Sequence, residues 1–219
     1  SRQLLLLASE GFGGYAFLFL EDSEPERAKG FYLRGRDHAL RVLTRRKALA
    51  PIAEGDLASA EKALLSVTRR DAAPLFWAAF SWAGYINLSK DSAAALADLP
   101  RVAAMMRRAL EISPEFHFSG ADLFFGVYYA SRPAILGGDI NKAKAHFHEA
   151  RKRTGGKYLM TYVLEAKHYA VAAQDVELFK SLLNKVLEAP AGQLENARLT
   201  DETGKIKARA LLEKTDELF

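Results

Sequence analysis

Cysteine is absent from the 219 residues, which removes disulfides, thiolate metal ligands and cysteine nucleophiles together. That absence does not fix a compartment, because exported proteins can also lack cysteine. Proline is scarce, at seven residues, so few positions force a helix to end. β-Branched residues are few, and no segment sustains the period-two alternation of a half-buried strand. There is no phosphate-loop lysine motif, no G-x-S-x-G elbow and no H-E-x-x-H. Nothing assembles a nucleophile, a base and an oxyanion donor, so the sequence argues against an enzyme. Nor is charge of one sign concentrated: 31 Lys and Arg against 27 Asp and Glu leave a formal charge of +4. The basic runs Arg45-Arg46-Lys47 and Arg151-Lys152-Arg153 fall near predicted helix ends, where cations complement the helix dipole. Without a basic stripe or a base-stacking pattern, no nucleic-acid partner is expected.

The N-terminal apolar row Leu4 to Ala8 is too short for a membrane span, and Glu10 interrupts it. It also lacks the basic region and cleavage pattern of a secretory signal. Apolar rows continue to Leu20, so we expect the chain to begin inside or just before a helix, with a leader or N-terminal anchor region removed.

What is present is helical. Hydrophobic residues make up 49% of the chain, with alanine, leucine, lysine, arginine and glutamate prominent. The periodicity predicts about ten helices joined by short turns. They fall near 3–21, 26–49, 57–69, 71–88, 92–112, 120–131, 139–153, 158–173, 176–188 and 203–217. Arg132-Pro133 should end the sixth, because the residue before proline disfavours helix. Asp139 should cap the seventh, and Gly155-Gly156 should terminate it.

Internal similarity then decides the fold class. A tetratricopeptide hairpin needs a small residue and an aromatic three apart on its first helix, then Ala-x3-large-x2-Ala on its second. Gly126 and Tyr129 supply the first part; Ala143, Phe147 and Ala150 supply the second. Ala60, Leu64 and Val67, then Val102, Met106 and Ala109, and more weakly Phe179, Leu183 and Val186, echo the second helix. The anchors are unevenly spaced, so the repeats are degenerate and "SRPAILGG" is an inserted loop. We therefore expect an all-α, tetratricopeptide-like helical-hairpin solenoid over 1–219 as a single domain.

Two first helices are apolar almost all round: Leu75 to Leu88, with Trp77, Trp82 and Tyr85, and Leu123 to Tyr129, with Tyr128 and Tyr129. Such helices are buried on all sides or covered by a partner or ligand. Two readings stay open, ordinary core and a ligand channel or subunit interface.

Other motifs dissolve on inspection. Gly11-Phe12-Gly13-Gly14-Tyr15-Ala16 matches a dinucleotide fingerprint by letters, but no βαβ context surrounds it; small residues for close helix contact explain it better. Gly137-Gly138-Asp139 lacks a phosphate-binding lysine, and Asp139 would repel a phosphate. His146 and His148 diverge by about 160° on a helix and make a poor metal site. His38, His117 and His168 are isolated. No cofactor and no metal are expected.

The stretch "LFFGVYYASRPAILGGDINKAKAHFHEA" resembles the tetratricopeptide T-component (TatT) family associated with TRAP transporters. The resemblance extends upstream through "LLLLASEGFGGYAFLFLED", "FYLRGRDHALRVL" and "LFWAAFSWAGYINLSKDSAAALADLPRVAAMMRRALEISPEF". Downstream, "GGKYLMTYVLEAKHYAVAAQDVELFKSLLNKVLEAP" looks like the last repeat of the family. It implies a non-enzymatic periplasmic protein, lipid-anchored at its N-terminus, that pairs with the periplasmic solute-binding protein of a TRAP transporter. It further implies a hydrophobic or organic-acid ligand and a homo-oligomer, a ring-like trimer. The lipobox cysteine is missing here, so the anchor stays an implication. The candidate ligand- or partner-facing residues are Trp77, Trp82, Tyr85, Tyr128, Tyr129 and Arg132. The aromatics offer rigid apolar area, and Arg132 would either pair with a carboxylate or bond exposed helix carbonyls. The alternative is a general tetratricopeptide adaptor that grips peptide segments in its concave groove.

Overall fold

The computed structural model describes residues 1–219, and every regular element in it is helical. The contacts divide the chain into two compact units, Ser1–Phe116 and His117–Phe219.

The first unit starts with α1 (Arg2–Tyr15), capped by Ser1 and continued by a wide turn over Ala16–Leu20. Pro25 opens α2 (Pro25–Leu43), where its missing N–H costs nothing. Short α3 (Pro51–Glu54) and α4 (Leu57–Leu64) lead to α5 (Ala72–Asn87), α6 (Ala93–Ala97) and α7 (Leu99–Ile112). Helices α1, α2 and α5 pack mutually, and α7 closes on α4 and α5.

Small residues set how near these helices come. A Cβ placed on Gly35 would lie 2.7 Å from Ser81 Oγ, 3.1 Å from the Gly13 nitrogen and 3.2 Å from the Ser9 carbonyl oxygen. Ser9 Oγ donates to the Gly35 carbonyl at 2.7 Å across this crossing. Further along α5, the Tyr32 ring fills the space a Gly84 side chain would take. The expected packing role of the Gly11–Gly14 run thus belongs to Gly13; Gly11 and Gly14 face open space.

The second unit contains α8 (Phe116–Ala130), whose backbone is left-handed at His117, Phe118 and Ser119, so regular helix begins at residue 120. It continues with α9 (Ile140–Arg153), α10 (Leu159–Leu164) extended by a wide turn over Glu165–Ala170, α11 (Val176–Glu188), α12 (Arg198–Glu213) and α13 (Thr215–Leu218). The tetratricopeptide spacing works as the sequence implies. Ala143, Phe147 and Ala150 are fully buried, and the Phe147 ring sits 2.8 Å from where a Gly126 Cβ would be. The echoes at Ala60, Val102, Met106, Phe179, Leu183 and Val186 are core residues too.

Among the boundaries that differ from the periodicity, four have a visible cause. Helix α2 stops at Leu43 and not near 49, because Arg46 leaves the helix to pair with Asp71 and to donate to the Ser66 carbonyl. Helix α4 ends at Leu64, since Thr68 and Asp71 form the capping box that opens the next element. The 92–112 helix is two, broken at Asp98 ahead of Pro100, with Asp98 accepting from the Trp82 indole at 3.2 Å. Helix α12 starts five residues early because Asp201, fully buried, accepts from the Leu159 and Gly192 amides at 3.0 and 2.9 Å.

Two stability changes follow. Gly35→Ala should destabilise by about 1–3 kcal/mol, because its neighbours include two backbone atoms that cannot rotate away. Gly11→Ala, which meets nothing, should gain about 0.5–1 kcal/mol from helix propensity. Urea titrations of both variants check this, and equal effects would contradict the packing. Asp201→Ala should cost about 1–3 kcal/mol for each of the two amides it leaves unpaired. A cost below 1 kcal/mol in the same titration would refute that role.

Candidate functional site

The last two turns of α8 and the inserted loop carry three of the six candidate residues, Tyr128, Tyr129 and Arg132. Here Phe124, Phe125, Tyr128 and Tyr129 make a chain of rings, with centroids 5.0 Å apart for Phe124–Phe125 and 5.3 Å for Tyr128–Tyr129. Phe125 is buried, whereas Phe124, Tyr128 and Tyr129 are half-buried. From α9 the His146 ring stacks on Phe125 at 5.2 Å and on Tyr129 at 5.8 Å.

Arg132 lies over the Tyr128 ring, its guanidinium carbon 3.9 Å from the centroid. This cation–ring attraction is worth about 0.5–2 kcal/mol depending on solvent exposure. Lys142 Nζ lies 5.4 Å from the Tyr129 centroid and 3.4 Å from Asp139 Oδ2. Two cations therefore flank a pair of half-buried tyrosines.

The loop that sets this arrangement is locally determined. After Pro133 the chain makes one tight turn to Gly137, which takes φ +85°, a left-handed value that favours glycine. At Gly138 any side chain would collide with the Arg132 carbonyl. The Asp139 amide then donates to the Tyr129 carbonyl at 3.1 Å, folding the loop back on α8. Asp139 caps α9 as expected, accepting from the Asn141 and Lys142 amides at 3.0 Å. Those bonds hold its carboxyl below the usual carboxylate range, the Lys142 amide most of all. The loop tip leaves Ile135 and Leu136 exposed.

Beneath the rings is a buried polar support that sequence reasoning missed. Asp122 is 2% exposed; its two oxygens meet His146 Nδ1 at 2.9 Å and Arg153 Nε at 3.2 Å. A signal was available. Asp122, Gly126 and Tyr129 share one face of α8, while Ala143, His146, Ala150 and Arg153 share the facing stripe of α9. His148, two residues from His146, is exposed. A second buried carboxylate, Glu165, is paired with Arg151.

The other three candidate residues belong to the first unit. Trp77 and Trp82 are 3% and 5% exposed, and Tyr85 is half-buried against the Ala16–Tyr32 cluster. Trp77 meets Phe76 and Phe80 edge-on at 5.3 and 5.4 Å. Arg36 and Arg101 lie 5.1 and 5.7 Å from the Trp82 ring. Arg101 also donates to the last carbonyls of α3, at Ile52, Ala53 and Gly55. A third array, unforeseen from residue pattern, lies on α1, the wide turn after it and α2, where Phe12, Tyr15, Phe19 and Phe31 are interleaved with Arg27 and Arg34.

Among titratable groups, burial lowers the His117 pKa to about 4, so this imidazole is neutral near pH 7. No three His, Asp or Glu side chains converge in a metal-binding group.

No curated protein sequence matches the chain. A family model described as TRAP transporter T-component matches it over residues 1–219. That match, over a wholly helical chain with tetratricopeptide-like packing at Gly126 and Phe147, shows that the protein belongs to the TRAP transporter T-component family.

Proposed function

We propose that this protein is a non-enzymatic periplasmic accessory of a TRAP transporter that docks the transporter's solute-binding protein and shelters an apolar organic acid. Family membership over the whole chain supports the transporter role. The observation that carries the ligand class is the pair of cations, Arg132 and Lys142, set against the half-buried Tyr128 and Tyr129. Rings give apolar area at small entropic cost, and a guanidinium seated over one of them can pair with a carboxylate.

The six residues divide by access. Tyr128, Tyr129, Arg132 and Tyr85 reach solvent and make first contact. Trp77 and Trp82 are covered, and a ligand meets them where helices part. The two units serve this role as one domain, in keeping with a single family match that runs through both. In the cell the protein is held by an N-terminal lipid anchor and works as a homo-oligomer, a trimer.

Binding of the purified chain to a TRAP solute-binding protein from the same organism tests this by calorimetry. A complex should form at micromolar concentration. Arg132→Gln and Tyr128→Ala should each weaken it about tenfold, as interface anchors do. Leu65→Ala, at an exposed position just past the end of α4, should change nothing. No complex, or capture of unrelated extended peptides with equal strength, would replace this reading with that of a general peptide adaptor.

A further inference from the structure

Helix α1 is packed on one side only. Ser9, Gly13, Ala16 and Leu20 are buried, and the Ser9–Gly35 hydrogen bond fixes that side to α2. At about 100° per residue, the opposite direction of α1 belongs to Leu4, Leu7, Gly11 and Gly14, and Leu18 follows them, half-buried, in the wide turn. Leu4 and Leu7 are 66% and 58% exposed. Tyr15 and Phe19, each 44% exposed, run along one edge. Gly11 and Gly14 face open space. No charged side chain interrupts this ridge over about 20 Å of helix. Glu10 flanks it, and its carboxyl is pushed up by partial burial.

Beyond the aromatic edge comes a row of cations. Arg27, Arg34 and Arg41 stand seven residues apart on α2 and are exposed. Arg27 and Arg34 lie over the Phe31 ring at 5.6 and 6.0 Å, and Arg34 is also 5.6 Å from Phe12. Tyr15 stacks on the same Phe31 at 5.5 Å. Arg27 is paired with Glu24, and the nearby Asp37 with Arg36. Arg34 and Arg41 carry no ion pair.

An apolar ridge, then aromatic rings, then unpaired arginines follows the layering of a bilayer surface, from acyl chains through the interface to the phosphates. We infer that the α1–α2 face of the first unit docks on an anionic lipid surface. Leu4, Leu7 and Leu18 enter the acyl boundary, Tyr15 and Phe19 sit at the interface, and Arg34 and Arg41 meet lipid phosphates. The segment Arg2–Leu20 is long and apolar enough to cross a membrane by length and composition. Its other face is built into the core, however, so it lies on the surface and does not span. A second copy of the chain is the other occupant this ridge could take, and the vesicle experiment separates the two.

Flotation of the unlipidated chain with vesicles separates the outcomes. It should rise with vesicles of equimolar phosphatidylcholine and phosphatidylglycerol, and not with phosphatidylcholine alone. Arg34→Gln and Arg41→Gln should each weaken binding about fivefold and reduce its salt sensitivity. Leu7→Ser, at an exposed position that leaves the fold intact by circular dichroism, should weaken it on every vesicle that binds. No flotation with anionic vesicles, or binding equal in all variants, would overturn the inference. So would self-association at the same concentration that Leu7→Ser abolishes, because the ridge would then be an interface between copies.

Discussion

Helices in this protein touch where one of them gives up its side chain. Gly13 and Gly35 let α1 and α2 approach until only Ser81 fits between them and α5. Gly84 yields its space to Tyr32, and Gly126 yields to Phe147. Protein interiors tolerate neither voids nor overlap, so each pair fixes a helix–helix distance and the register along it. The rest is arranged around those distances. Tyr32, thus seated, places its hydroxyl 2.6 Å from Glu21, and burial, more than the neighbouring carboxylate, pushes that phenol well above its usual range. Phe147, thus seated, brings His146 and Arg153 onto Asp122.

The candidate site inherits its order from this packing. Asp122 has both oxygens bonded, so a buried carboxylate is charge-paired instead of stranded. His146, held by that carboxylate, stacks beneath Phe125 and Tyr129. Tyr128 can then present a fixed face to Arg132, and the glycine turn returns the chain so that Lys142 reaches Tyr129. Under the proposed function, a partner would meet rings and cations that are already placed, which would lower the ordering cost of binding.

What was legible in the sequence was local or periodic. The Gly126–Phe147 pairing follows from tetratricopeptide spacing, and the Asp139 cap and the Gly155-Gly156 stop follow from backbone preference. What was not legible depends on residues far apart in the chain. Nothing near Leu43 says that Arg46 will abandon the helix for Asp71, 25 residues on. Nothing near Arg198 says that Asp201 will hold an amide 42 residues back. The α1 face escaped for a different reason. Its glycines look alike in sequence, yet only Gly13 packs, while Gly11 and Gly14 lie on the open ridge. Likewise, residue type marks Trp82 as a binding aromatic, but its two arginines and the Asp98 bond emerge only in the fold.

The proposed docking of a TRAP solute-binding protein rests on Tyr128, Tyr129 and Arg132 of the second unit. Hydrogen exchange of the backbone amides, with and without that receptor, examines it most directly. Docking there should give the greatest added protection over residues 124–142, spanning the rings, the glycine turn and the Asp139 cap. Protection confined to α11 and α12, with 124–142 unchanged in a complex that does form, would contradict it.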